Sequence, residues 1–213
     1  MGAKTWMLVY SEGNPAEILK GNPVLDQAAT IEFAKRLFSS EKLTPSGIGD
    51  LSFTCPAKDK LVVGCFPSLV VVAAQEFGID LPSQLPAQFI DACPGYSVYF
   101  HAMHSAVDWF AYAIWKDGKL QRSLSLSPDS GILENTGERL SFEEPYWNGE
   151  HPAFDSVEDY DDYPFPFHPL ELGEAALLSL FGYQLEGFIA PSHVEPEKIP
   201  LMQFTRKKSW WRF

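Results

Sequence analysis

The stretch YSVYFHAMHSAVDWFAYAIWKDGKLQRSLSLSPD, residues 96–129, decides the fold. It carries the densest aromatic run in the chain, with Tyr96, Tyr99, Phe100, Trp109, Phe110, Tyr112 and Trp115. Aromatic side chains fit the pleated, half-buried surface of a sheet. Lys116-Asp117-Gly118-Lys119 is a hairpin signal, because Asp-Gly readily takes the positive φ of a tight turn. Three strands are predicted, over residues 97–103, 108–115 and 120–126, forming the middle of an antiparallel sheet. In the third, Leu120, Arg122, Leu124 and Leu126 alternate with Gln121, Ser123 and Ser125. That alternation predicts one buried row and one solvent-facing row. Arg122 interrupts the apolar row, which leaves two placements open: the sheet rim, or a pairing with a carboxylate.

Working outward, residues 5–10 (TWMLVY) read as an early buried strand. Residues 61–66 and 69–77 are β-prone on either side of Pro67-Ser68, as a hairpin or as one bent strand. Pro45, Gly47, Gly49 and Pro56 predict loops over residues 43–60, around a short edge strand at 51–54. Two longer helices are predicted. The first follows Asp26 as N-cap, with Ile31, Ala34 and Phe38 on one face and a Glu32–Arg36 pair on the other. The second covers residues 170–181, with Pro169 in its first turn and Gly182 as its stop. Residues 143–163 hold eight acidic side chains together with Tyr146, Trp147, Phe154, Tyr160 and Tyr163. They read as a long acidic surface loop pinned by its aromatics. Residues 205–213 form a basic, aromatic tail ending in RKKSWWRF. The expectation is a single α+β domain over residues 1–213. It has a mainly antiparallel β-sheet of five to seven strands, with two main helices packed on it.

The formal net charge of −12 points away from nucleic acid, whose phosphates would repel the chain, and toward a basic protein partner. Cys55, Cys65 and Cys93 are odd in number and lack CxxC spacing, so neither a disulfide framework nor a cysteine-rich zinc site is expected. The N-terminal residues lack a signal-peptide pattern, and no run approaches the ~18 apolar residues of a membrane span. These features predict a cytoplasmic protein without membrane insertion. There is no glycine-rich phosphate cradle and no G-x-S-x-G elbow, and no cofactor is expected.

His101, His104 and Asp108 are the one cluster in the central stretch with a chemical reading. With a further ligand they could hold a metal ion, or serve a small hydrolase together with His151 or His168. Residues three apart on a straight strand point to opposite faces, however. The favoured reading is of imidazoles that hydrogen-bond within the fold, with no metal. The binding candidates are therefore His101, His104, Asp108, Trp147 and His168. A non-catalytic binding or immunity-like module is preferred over the hydrolase.

The phrases MGAKTWMLVY, VGCFP, YFHAMHSAVDWFAYAIWKDG, RSLSLSPDSG, EPYWNGEHP and PFHPLELGEAALLSLFGY resemble an uncharacterised family of bacterial proteins, a domain of unknown function. The resemblance runs over about residues 1–186. It implies a bacterial cytoplasmic protein and supplies no activity, cofactor or catalytic residue. The FAYAIWKDGKLQRS hairpin is similar to small bacterial domains with immunity or interaction roles.

Overall fold

The computed structural model describes residues 2–154 and 163–208. Among these, nine strands form one sheet: β1 (Lys4–Ser11), β2 (Glu41–Asp50), β3 (Lys60–Phe66), β4 (Leu69–Ala73), β5 (Ser97–His104), β6 (Trp109–Lys116), β7 (Lys119–Ser127), β8 (Gly131–Thr136) and β9 (Pro200–Lys208). Their spatial order is β2-β9-β3-β4-β1-β5-β6-β7-β8, and every neighbouring pair is antiparallel. The helices are α1 (Pro15–Lys20), α2 (Gln27–Leu37), α3 (Ala87–Ile90), α4 (Glu144–Trp147) and α5 (Pro169–Phe181). The fold is α+β, as the sequence predicts, with more strands than the predicted five to seven.

One of the additional strands, β2, lies where prolines and glycines argued for loops. Residues 41–50 pair with β9 along their length, with a bulge between Pro45 and Gly47. An edge strand tolerates a proline and a bulge, because one side of it has no ladder to maintain. Residues 51–54 contribute only an isolated bridge, Thr5 to Thr54. The two β-prone runs around Pro67-Ser68 form a hairpin, β3 with β4, turned at Ser68 with φ 58°. Asp117 and Gly118 take φ 51° and 70°, the positive values expected of an Asp-Gly hairpin.

Both faces of the sheet are covered. On one face α1 and α5 pack over Met7, Val9, Met103, Phe110, Tyr112 and Leu124. On the other, α2 and the segment around Phe77, Leu85 and Phe89 cover Leu8, Tyr10, Phe100, Ala111 and Trp115. Helix α2 is tied to β3 through Thr30, whose hydroxyl accepts from the Cys65 amide (2.9 Å) and donates to the Asp26 carbonyl (2.6 Å). The expected Glu32–Arg36 pair is replaced. Glu32 meets Lys35, and Arg36 donates to the Ala92 carbonyl while lying over the Phe33 ring.

Double coverage overturns the reading of the serine row. Ser123 and Ser125 are fully buried, and Ser127 nearly so. Ser125 accepts from the Trp109 indole at 3.1 Å, and Ser123 donates to the Glu134 carboxylate. Alternation marks which residues share a face, but not whether that face meets water.

Arg122 is also buried, and it takes the second of its two open placements. Its Nε and Nη2 donate to the two oxygens of Glu143 at 2.9 and 2.6 Å. Nη1 donates to the Ser123 and Thr136 carbonyls and to Asn135 Oδ1. Glu143, read as part of the acidic surface loop, is 0% exposed. Its carboxylate also accepts from the Tyr112 hydroxyl (2.5 Å) and the Leu140 amide (2.8 Å). Burial alone would raise its pKa. The hydrogen bonds from Arg122, Tyr112 and Leu140 outweigh that and hold it below the usual carboxylate range. Gly137 makes room for the chain to fold over this pair. It sits at φ 83°, and a Cβ there would lie 2.0 Å from the Gln121 carbonyl oxygen.

Removing one partner of a buried ion pair leaves an uncompensated charge. Glu143→Gln is therefore expected to lower unfolding free energy in urea by about 3–5 kcal/mol. A loss under about 1 kcal/mol would contradict the role assigned to the pair.

Candidate functional site

The binding candidates are distributed by the parity of β5. His101 faces α5 and His104 faces the opposite side of the sheet. Helix α5 approaches closely because residue 173 is glycine, where a Cβ would meet Met103 Sδ at 2.8 Å. The Gly173 carbonyl thereby comes within 3.0 Å of His101 Nε2, and Thr5 Oγ1 lies 2.7 Å from Nδ1. A carbonyl can only accept, so Nε2 carries the proton and Nδ1 accepts from the threonine hydroxyl. Both ring nitrogens are thus used within the core, and no lone pair remains for an ion. Burial pushes the pKa of His101 down to about 4.

His104 stacks on Trp6 with ring centroids 5.5 Å apart. Burial, with the Lys4 charge as a second cause, lowers its pKa. Its Nδ1 is buried with no hydrogen-bond partner among the described residues. No group of three or more His, Cys, Asp or Glu side chains among the described residues is placed to hold a metal ion.

The structure does bring Asp108 and His168 together, although 60 residues separate them in sequence. Asp108 ends the β5–β6 turn at φ 45°, a left-handed conformation that aspartate tolerates better than most residues. His168 is the N-cap of α5, and its Nδ1 accepts from the Leu170 amide at 3.3 Å. Nε2 therefore bears the proton and faces the Asp108 carboxylate at 3.7 Å.

Further side chains crowd this corner. Burial first, then the charges of Asp108 and Glu171, push the Tyr163 phenol up to about 12. Its hydroxyl is buried without a hydrogen-bond partner among the described residues. Tyr146 donates to the Glu171 carbonyl at 3.3 Å, and its ring stacks on His151 at 4.4 Å. Trp147 packs edge-on against Phe167 at 4.9 Å. The Arg139 guanidinium lies over the Trp147 ring, 4.4 Å from its centroid. Tyr146, Trp147 and Tyr163 are half-buried, whereas Glu144, Glu150, His151 and Glu171 are exposed. Glu143 holds the start of this segment to the sheet, and its carboxylate also receives the Trp147 indole N–H at 3.4 Å.

Sequence reasoning singled out Asp108, Trp147 and His168 here and missed Tyr146, Tyr163 and Glu171 as their neighbours. The available signal was His168-Pro169. A proline in the first turn of a helix makes the residue before it a capping position, and so fixes where that ring sits. Asp155, Glu158, Asp159, Tyr160, Asp161 and Asp162 of the predicted acidic loop lie outside the described residues, as do Trp210, Trp211, Arg212 and Phe213 of the tail. Strand β9 takes in Arg206, which pairs with Glu41 at 2.6 Å and Glu76 at 2.5 Å and lies over the Phe38 ring.

Fold and site together define an α+β protein: one sheet covered on both faces, with an acidic, aromatic corner at the start of α5. The chain belongs to a family described as "Family of unknown function (DUF6928)", which matches residues 5–204. No curated protein and no solved structure matches it. No helix among the described residues is long and apolar enough to cross a membrane.

A titration of the histidine ring protons by NMR tests the assignment of His101 to the core. Its midpoint is expected near pH 4, with no step between pH 5 and 8. A midpoint near 6.5 would contradict it. The folded-state pKa lies below the unfolded one. The contribution of His101 to stability is therefore full above about pH 6.5 and is lost as pH falls toward 4.

Proposed function

We propose that the chain is a non-catalytic binding module of the bacterial cytoplasm, immunity-like in kind, whose partner is a basic protein. The observation that carries this reading is the grouping of Asp108 and Glu171 with the half-buried rings of Tyr146 and Tyr163 at the start of α5. Carboxylates beside aromatic faces suit lysine and arginine side chains, which gain from the charge and from the ring quadrupole. The surface already engages one guanidinium of its own chain, Arg139 over Trp147. A net charge of −12 favours fast encounter with a basic surface. The free state of Cys55, Cys65 and Cys93 suits a reducing compartment.

The alternative, a hydrolase built on His101, His104 and Asp108, asks for a group free to move protons. His101 has both nitrogens engaged and 0% exposure, and His104 faces away from it.

Octa-arginine is a suitable probe, titrated calorimetrically at low salt. The double variant Asp108→Asn, Glu171→Gln is expected to weaken binding about tenfold, a loss of ~1.4 kcal/mol. Neutralising Glu32 and Glu195, exposed acids outside this corner, is expected to have little effect. Equal losses from both pairs would mean that only bulk charge is being read, and would contradict a specific site.

A further inference from the structure

At one end of the sheet, separated stretches of chain converge: the start of β1, residues 52–55, the β5–β6 turn, the segment after α5, and Glu197. Between them lies a pocket of about 640 Å³, walled in part by Ala3, Phe53, Ala106, Leu185 and Ile189. Exposed apolar side chains gather at its mouth. Phe53 and Ile189 line it and are 54% and 57% exposed. Val107 and Phe188, also exposed, are the sequence neighbours of the lining residues Ala106 and Ile189. Single apolar side chains in water are ordinary, but a group of them around a concavity marks a binding site.

The charges at this pocket narrow the choice of ligand. Its lining includes two exposed carboxylates, Glu186 and Glu197, against one ammonium, Lys4. Lys4 opens β1 and pairs in register with His104 of β5, which places it on the β1–β5 side of the pocket. Asp108 stands two residues beyond Ala106, so the acidic corner at His168 begins where this wall ends. An anionic lipid surface would be repelled by such a rim and by the chain's net charge.

We propose that this pocket receives one large apolar side chain of a peptide segment whose flanking residues are basic. The inference rests on reading the Asp108 corner as a site for a basic partner, and it deepens that reading by naming what lies between the cations. The apolar anchor enters between Phe53 and Ile189 and displaces water from Leu185 and Ala3. The flanking cations meet Glu186 and Glu197 on one side and Asp108 on the other. This is the usual division of an interface, with an apolar anchor in a pocket and charge at the rim.

Two nonapeptides test it against the intact protein, each with four lysines on either side of a central residue, phenylalanine in one and alanine in the other. The phenylalanine peptide is expected to bind at least tenfold more tightly, and to shift the amide resonances of Phe53, Ala106 and Ile189 where the alanine peptide does not. Ile189→Asp, at an exposed position, is expected to abolish that difference. Equal affinities for the two peptides would overturn the pocket inference and leave the basic-partner reading standing. Failure of both peptides to bind at low salt would overturn both. A phenylalanine preference that survives Ile189→Asp would place the anchor elsewhere and overturn the inference.

Discussion

The structure turns on a charge pair that water cannot reach. Arg122 sits in the apolar row of β7, where a guanidinium would be untenable alone. Glu143 comes to it from 21 residues along the chain, in a bidentate fork that leaves neither oxygen unpaired. Tyr112, Leu140 and Trp147 fill the carboxylate's remaining acceptor sites, and backbone carbonyls near the end of β8 take the other end of the arginine. A pair this completely hydrogen-bonded offsets much of its desolvation cost, and it also fixes geometry. It pins the chain leaving β8 onto the α5 side of the sheet. The short helix α4 then starts at a defined place, beside the start of α5.

That placement bears on the proposed function. The central strands are covered on both faces, whereas the edge strands β2 and β8 are largely exposed, so a partner of the proposed kind would meet the edges and ends of the sheet. One long edge, β2, is interrupted by a proline and a bulge, which discourages pairing with another chain. At one end, the β5–β6 turn lies between the apolar pocket and the acidic corner, because Ala106 lines the first and Asp108 meets His168 in the second. Glu143 is therefore a positioning residue for that corner: it touches no solvent, yet it sets where Tyr146 and Trp147 stand.

Much of the scaffold was legible in the sequence, for local reasons. The Asp-Gly hairpin, the Asp26 cap, and the Pro169 and Gly182 boundaries of α5 are short-range signals, and each appears where predicted. The parity of β5 already implied that His101 and His104 diverge. What could not be read were relations between distant residues. Nothing near Arg122 says that Glu143 will meet it, and nothing near Ser123 and Ser125 says that the segment around Ser83 and Leu85 covers that face. Strand β2 was hidden because proline and glycine signal loops, except on an edge. At the candidate site, the sequence singles out Asp108, Trp147 and His168 as individual residues. Their assembly with Tyr146, Tyr163 and Glu171 depends on the docking of α5, which is set by tertiary packing.

The most direct measurement of the central claim is native-state hydrogen exchange at the Leu140 amide, which donates to the buried Glu143 carboxylate. If Glu143 locks this segment to the sheet, that amide opens only with global unfolding. Its free energy of exchange then equals that of the Tyr112 and Ala113 amides at the centre of β6. Exchange at Leu140 through a local opening well below that value would mean that the pair does not hold the segment, and would contradict the central place of Arg122 and Glu143 in the fold.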